Sequence, residues 1–382
     1  MNSVKTPFHR KDKLNVAVIG AGHWGPNIIR NFLEDPRVNM RIICDKDTER
    51  LKVIATRYES VETTINLIKI LKDSSIQAVA ICTPTATHFS IAKACLQHNK
   101  HILVEKPMAS SSAKCAELIE LAETQKLKIM VGHVFLFNPG IRYIYDLIHQ
   151  GDLGDIIYIY ATRVNLGPVR TDVNAMWDLA PHDISILNYW LGCQPLQAHA
   201  IGTEYINKKL DDVVFITLKY PSNILANIHV SWLDPRKTRQ IVIVGTKKMV
   251  VFDDLDTLGS VYIYDKSVTK TPDPRLVADT IQDFKVVIQE DKLTIPKIPQ
   301  GEPLKAECRA FIDYLLGLGE GISTADTGIA VVRTLEAATQ SLKAGGQSIL
   351  LETDIPSTTE FINSETRPMC FNATLTGRGV EY

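Results

Sequence analysis

A carboxylate, an imidazole and an ammonium group stand in this chain where acid–base chemistry could use them. Trp177-Asp178-Leu179-Ala180-Pro181-His182-Asp183 sets Asp178 four residues ahead of His182. If a helix starts at Asp178, the two side chains face one way. Pro181 is tolerated best in a first turn, so the pattern predicts a helix over 179–191 with His182 close to its start. A helix start favours the neutral imidazole and suits it to accept a proton near neutral pH. Taken alone, a histidine there is also an ordinary structural residue. Glu105-Lys106-Pro107 follows an apolar run. If that run is a parallel strand, Lys106 lies at the end where open α/β sheets bind ligands. Taken alone, it reads more readily as an exposed loop lysine.

Gly20-Ala21-Gly22-His23-Trp24-Gly25 fits G-x-G-x-x-G, between an apolar run and a helical pattern. In that setting the first glycine permits a tight turn. The second lets backbone approach a pyrophosphate at a helix N-terminus. Asp45 ends the next apolar run. A carboxylate there can accept both ribose hydroxyls of an adenosine and would repel a 2′-phosphate, which favours NAD over NADP. It could instead cap the following helix, and Lys46 and Arg50 lie close by in sequence.

Elements able to position these groups are legible. Over 14–133, short apolar runs (14–20, 38–45, 76–82, 101–105, 128–133) alternate with helical patterns (26–33, 47–58, 65–71, 87–98, 112–125). Continuous apolar strands separated by helices predict a parallel sheet covered on both faces. After His133 come helical patterns at 139–150 and 179–191. Strand patterns follow at 156–164, 196–205, 212–220, 224–232, 239–244, 249–253 and 260–264. Turn signals between successive strands predict a large open, mainly antiparallel sheet. Helices are expected near 304–318 and 324–344, before a polar tail. The expected organisation is therefore 1–133, 134–350 and a tail at 351–382.

Composition excludes several classes. The chain has 382 residues, 42 Lys plus Arg against 43 Asp plus Glu, and a net charge of −1. That balance argues against a nucleic-acid partner. No apolar run reaches the roughly 18–20 residues of a membrane helix, and residues 1–15 are too polar for a secretory signal. The seven cysteines form no C-x-x-C pair. They read as reduced thiols of a cytoplasmic protein, with no metal site expected.

The glycine loop, Cys82-Thr83-Pro84-Thr85-Ala86-Thr87-His88, Glu105-Lys106-Pro107 and Asp178-x-x-x-His182 occur in this order. Together they resemble the Gfo/Idh/MocA oxidoreductases over roughly 14–345. Gly132-His133-x-Phe135-x-Phe137-Asn138-Pro139 is similar to that family's entry into its second domain. The resemblance implies an α/β protein with an N-terminal Rossmann dinucleotide-binding domain. A C-terminal α/β domain follows, whose open sheet joins subunits into a homodimer or homotetramer. It implies reversible hydride transfer between NAD and a secondary alcohol carbon. Gly20, Gly22, His23, Trp24, Gly25 and Asp45 would serve the cofactor. Thr83 and Pro84 would line the nicotinamide pocket, with His88, Glu105 and Lys106 also on the cofactor side. The family's lysine, aspartate and histidine fall on Lys106, Asp178 and His182. His182 would be the base and Lys106 the cation stabilising the alkoxide, with the peptide bond before Pro107 cis. Asp178 would hold a substrate hydroxyl or orient the imidazole. Lys106 or His133 would be the base if His182 is not.

His133, Asn138, Arg163, Asn165, Asp178 and His182 are the expected substrate side. The 177–184 segment is most similar to enzymes of nucleotide-linked sugars. C3 of a UDP-N-acetylhexosamine or its uronate, in surface polysaccharide biosynthesis, is the expected target. Alternatives are a 3-keto-sugar-nucleotide reductase, an inositol or free-sugar dehydrogenase, an NAD-dependent glycoside hydrolase, or a cofactor-binding regulator without turnover. Trp232, Asp234, Arg236, Lys237 and Arg239 form a second polar cluster, read equally as a diphosphate site or a solvated sheet edge. Val213, Phe215, Thr217, Leu218, Ile241 and Ile243 are the expected apolar contact residues of the sheet.

Overall fold

The computed structural model describes residues 13–206, 208–266 and 292–351, with short backbone strands at 268–269 and 287–288. The expected tail beyond 351 lies outside the described residues. Backbone contacts divide the chain into two units. The first holds the chain up to Asn138 plus Gln300–Arg333, and the second holds Pro139–Pro299 plus the chain from Thr334. A single cut near residue 133 does not anticipate the return of 300–333 to the first unit.

In the first unit, β1 (Leu14–Ile19), β2 (Val38–Cys44), β3 (Glu62–Thr64), β4 (Ala78–Ile81), β5 (His101–Glu105) and β6 (Ile129–Gly132) are ordered β3-β2-β1-β4-β5-β6. Every neighbouring pair is parallel. The crossovers carry α1 (Gly25–Glu34), α2 (Thr48–Arg57), α3 (Leu67–Lys72), α4 (Thr85–Gln97) and α5 (Ser112–Thr124). β4 reads Ala-Val-Ala-Ile with every residue buried, as a strand covered on both faces requires. β3 escapes the sequence pattern because Glu62-Thr63-Thr64 is short and holds no apolar residue.

The returning segment is bound locally. Val131 N–H donates to Ser323 O at 2.8 Å, and Ser323 Oγ donates back to Val131 O at 2.6 Å. Lys305 Nζ pairs with Glu34 Oε2 at 2.6 Å, and Arg37 pairs with Asp313. These contacts belong to α8 (Pro303–Leu316, the eighth helix in chain order) and the turn after it.

The second unit holds α6 (Pro139–His149), β7 (Ile156–Leu166), α7 (Ala175–Leu191), β8 (Gln197–Thr203), β9 (Val213–Lys219), β10 (Leu225–Ser231), β11 (Leu233–Gly245), β12 (Met249–Asp253) and β13 (Val261–Tyr264). β14 (Val268–Thr269) and β15 (Val287–Ile288) pair with each other. β16 (Leu293–Thr294) and β17 (Ile349–Leu350) edge the main sheet, and α9 (Ala325–Lys343) spans the division between units. The nine-stranded sheet runs β16-β13-β12-β11-β7-β10-β9-β8-β17, with β7 and β10 parallel and the other pairs antiparallel. The expected α/β class with a parallel sheet and a mainly antiparallel one is thus observed.

α7 packs on β7, β9 and β10. Ile184, Ile186, Leu187, Trp190 and Leu191 are fully buried, each contributing about 1.5–3 kcal/mol of transfer free energy. The opposite face of the sheet carries Tyr158, Tyr160, Ile201, Phe215 and Leu225, all exposed. The expected contact list mixed the two faces. Leu218 lies with Val214 and Ile216 on the covered side, and Ile241 and Ile243 are buried as well. On β9 side chains alternate, so Val213, Phe215 and Thr217 point the other way. β11 begins six residues before the predicted Arg239. It accommodates Pro235 through a register shift between Leu233 and Thr238, where no ladder N–H is needed.

Cys44, Cys82, Cys95, Cys115 and Cys308 are free thiols. Cys193 is disulfide-bonded, which corrects the expectation of reduced cysteines throughout. It is partly exposed just after α7, not buried within an apolar element. No helix among the described residues is long and apolar enough to cross a membrane.

Candidate functional site

The glycine loop joins β1 to α1. Gly20 has φ +101°, and a Cβ there would lie 2.6 Å from Cys82 O, so only glycine fits. A Cβ at Gly25 would lie 2.1 Å from Gly20 O, which closes the turn onto the helix start. Gly22 is different. A Cβ there would meet only Arg50 Nη1, at 3.4 Å, so the loop offers bare backbone to open space. Ala21 N–H donates to Asp45 Oδ2 at 2.5 Å, and Asp47 N–H to Asp45 Oδ1 at 2.9 Å. Asp45 therefore belongs to the loop. The cap of α2 is Asp47, which accepts from Glu49 and Arg50 N–H, so the capping alternative for Asp45 falls away. His23 is exposed at the loop tip.

Two further motifs are braced together in this unit. His88 is buried, with Nε2 2.7 Å from Thr83 O and Nδ1 2.8 Å from Pro107 O. It ties the Thr83-Pro84 turn to the residue after Lys106, and its ring is committed to protein carbonyls. Thr83 Oγ1 accepts from Thr87 Oγ1 at 2.8 Å, and Pro84 is the residue that caps α4. The Lys106-Pro107 bond is cis, as expected. Glu105 lies at the last position of β5 opposite Gly132 of β6. A Cβ on Gly132 would come within 3.0 Å of Glu105 Oε2, so the glycine makes room for the carboxyl. The Trp24 side chain hydrogen-bonds to that carboxyl, yet burial lifts it to about 7. His133 is buried and neither ring nitrogen has a hydrogen-bond partner. Burial, with the Lys106 charge, pushes its pKa down to about 3. So weak a base is unsuited to take a substrate proton. Asn138 closes the short turn Val134–Phe137, its N–H donating to Phe135 O.

In the second unit α7 starts earlier than predicted. Asn174 is its cap, with Oδ1 accepting from Trp177 N–H at 3.0 Å. Asp178 is in the first turn, but Pro181 is inside the helix. His182 is thus well past the first turn, and the helix-start argument for its basicity does not hold. The four-residue spacing still puts Asp178 and His182 on one side of the helix. Asp178 Oδ1 accepts from Arg170 Nη1 at 3.0 Å, and Arg170 also holds Asp172 through Nη2 at 2.6 Å. Arg163 is turned inward. Its Nε and Nη2 each bond Asp183 at 2.8 Å, both side chains being nearly inaccessible. This corrects its expected place among the substrate ligands. Asn165 folds back over the loop start, since a Cβ on Gly167 would lie 1.9 Å from its Nδ2. The second polar cluster does not converge either. Trp232 is buried, Arg239 pairs with Asp254 at 3.1 Å, and Arg236 and Lys237 are exposed on β11.

Residues 14–133 match the oxidoreductase family with an NAD-binding Rossmann fold, and residues 141–251 match the GFO/IDH/MocA C-terminal domain. The chain belongs to the Gfo/Idh/MocA oxidoreductases. Among curated relatives, UDP-N-acetylglucosamine 3-dehydrogenase of Acidithiobacillus ferrooxidans is 25% identical, over 71% of this chain and 83% of the relative. Inositol 2-dehydrogenase 2 of Saccharopolyspora erythraea is 24% identical over 57% of this chain and 66% of its own. The solved structure of GenD2 from gentamicin A biosynthesis, in complex with NAD, superposes with TM-score 0.75 at 23% identity. It covers 92% of this chain and 100% of its own.

NAD is the cofactor of this oxidoreductase. The residues present fit it: the open backbone at Gly22 would take the pyrophosphate, and Asp45 retains lone pairs for ribose hydroxyls. Three residues escaped the sequence reading. Arg170 sits in a polar loop with no motif around it. Asp183 is adjacent to His182, and its partner lies on another element. Glu307 of α8 is a lone acid in a helical pattern whose complete burial no local pattern betrays.

Proposed function

We propose that this Gfo/Idh/MocA oxidoreductase oxidises C3 of a UDP-N-acetylhexosamine or its uronate, in surface polysaccharide biosynthesis, as a cytoplasmic homo-oligomer. The observation that carries the reading is the polar side of α7. There Asp178 and His182 share one side of the helix, and Arg170, paired with both Asp172 and Asp178, fixes the Asp178 carboxylate from the loop before α7. The similarity to UDP-N-acetylglucosamine 3-dehydrogenase supports it. NAD, when bound, accepts the hydride from the alcohol carbon. In this reading His182 takes the hydroxyl proton and Lys106 holds a fixed positive charge against the developing alkoxide. Asp178, its charge shared with Arg170, holds a neighbouring substrate hydroxyl. His88 keeps the Thr83 turn and the residue after Lys106 together on the cofactor side.

The test is NADH formation with UDP-, dTDP- and GDP-sugars and with inositols. Turnover is expected with UDP-N-acetylhexosamines or their uronates. Turnover confined to inositols or free sugars would overturn the substrate assignment. Release of p-nitrophenol from aryl glycosides would move the reading to glycoside hydrolysis.

A further inference from the structure

Both ring nitrogens of His88 meet the same kind of group. Nδ1 lies 2.8 Å from Pro107 O and Nε2 lies 2.7 Å from Thr83 O, in a residue that is 1% exposed. A backbone carbonyl oxygen accepts hydrogen bonds and cannot donate them. A neutral imidazole has one N–H and one lone pair. One of the two contacts would then set lone pair against lone pair, at hydrogen-bond distance and in a place water does not reach. The two short contacts fit one protonation state, in which both nitrogens donate.

We propose that His88 is an imidazolium in the folded protein at neutral pH, and that this doubly donating ring is a positioning residue for the nicotinamide end of the cofactor site. The proposal rests on the reading above in placing Thr83 and Lys106 there. His88 stands at the start of α4, which packs on β4, β5 and α5. β4 leads into the Thr83-Pro84 turn, and β5, its parallel neighbour, leads into Lys106-Pro107. One ring thus clasps two loops that leave adjacent strands at the end where such sheets bind ligands. A ring with a single hydrogen would hold one loop and repel the other. Burying the charge is costly, and two charge-assisted hydrogen bonds offset that cost. The ionisable groups on the surrounding elements are few. β4 has none and is followed by the Cys82 thiol. β5 has His101 at its far end and Glu105 at the near one, with Lys106 next; the Glu105 charge favours a cation here and the Lys106 charge opposes it. On α5, Cys115 is a buried thiol, Lys114 engages Ser110, Glu117 pairs with Lys93 of α4, and Glu120 and Glu123 are exposed. Cys95 of α4 is a further buried thiol.

The consequence has a sign. In the unfolded chain an imidazolium gives up its hydrogen near pH 6.5, roughly the ordinary value. The folded chain holds it more tightly. This stabilisation is complete below about 6.5 and is lost as pH rises through the point where the folded ring deprotonates. At pH about 7.5 an ordinary imidazole is about one-tenth protonated. Nitrogen NMR of the full chain, labelled in histidine, should show both His88 ring nitrogens protonated at that pH. One unprotonated nitrogen there overturns the proposal without any variant. The positioning role is read by comparing NADH with ADP-ribose, which lacks the nicotinamide. His88→Gln carries its donors on one nitrogen and cannot span both carbonyls. It should weaken NADH about tenfold and ADP-ribose by about twofold at most. Equal losses for the two ligands, as a merely structural role would give, or an unchanged NADH affinity would overturn it. In the wild-type protein, the preference for NADH over ADP-ribose should shrink as the His88 ring loses its hydrogen on the alkaline side. A preference that stays constant through that step overturns the role even if the Gln variant does not fold. All three readouts are blind to the sugar, so failure of the substrate assignment would leave them unchanged.

Discussion

Arg163 and Asp183 form a two-bonded ion pair inside the second unit, Nε to Oδ2 and Nη2 to Oδ1, both at 2.8 Å. The pair fixes β7 to α7 one residue after His182. Its geometry makes Arg163 a support of the site, with its guanidinium edge turned to protein. Arg163→Ala should destabilise the protein by about 3–5 kcal/mol, the usual effect of orphaning a buried charge. Replacing both partners with apolar residues should cost much less. Urea unfolding of the two variants checks this. Normal stability of Arg163→Ala with only a raised KM would return Arg163 to the substrate.

Asp45 joins the loop and the end of β2, so it serves both loop geometry and nucleotide choice. NAD should bind more tightly than NADP. Asp45→Ser should weaken NAD about tenfold, roughly one charge-assisted hydrogen-bond's worth, and narrow the preference. Dissociation constants favouring NADP in the unaltered protein would refute this.

His182→Asn should lower turnover by about 10²–10⁴, the range of a positioned general base, with NADH affinity unchanged. The expectation rests on the side of α7 shared with Asp178, since the histidine lies beyond the first turn. Near-normal turnover from pH about 6 to 9 would transfer the role to Lys106. His133, with a pKa of about 3, is not the substitute.

His133 also predicts acid sensitivity. Its folded-state pKa lies below the ordinary value of 6.5, so the unfolded chain binds the proton more readily. Stability is unaffected above pH 6.5 and falls as pH drops from there toward 3. The slope approaches about 1.4 kcal/mol per pH unit for this one group. His133→Leu should flatten that part of a melting-temperature profile. A variant as acid-sensitive as wild type would show that His133 is not responsible.

The outer face of the second unit's sheet carries Tyr158, Tyr160, Phe215 and Leu225 in the open, and Phe215 stacks on His229 at 4.3 Å. Such a face fits association between copies of the chain. Light scattering at micromolar concentration should give a dimer or tetramer. Phe215→Asp combined with Tyr160→Asp should yield a folded monomer. A monomeric wild type contradicts the assembly.

The chain's local patterns determine a good deal of this protein. Apolar runs alternating with helical periods specify the parallel sheet. G-x-G-x-x-G between a strand and a helix specifies the loop, and Asp45 at a strand end specifies its partner. Glu105, Lys106, Asp178 and His182 are legible because motif and spacing are properties of neighbours in sequence. Other features depend on residues far apart in the chain. Pro181 reads as a first-turn residue until Asn174 is seen to cap the helix a full turn earlier. Leu218 and Phe215 are both apolar, and only the register of β9 decides which faces α7. Arg163 is indistinguishable from a substrate arginine until Asp183 closes on it. The return of 300–333 to the first unit rests on Ser323 pairing with Val131 across 192 residues. Glu307 becomes unusual only when α8 buries it with no hydrogen-bond partner for its carboxyl. Burial and charge pairing are decided by which surfaces meet, and that is settled by the packed chain as a whole.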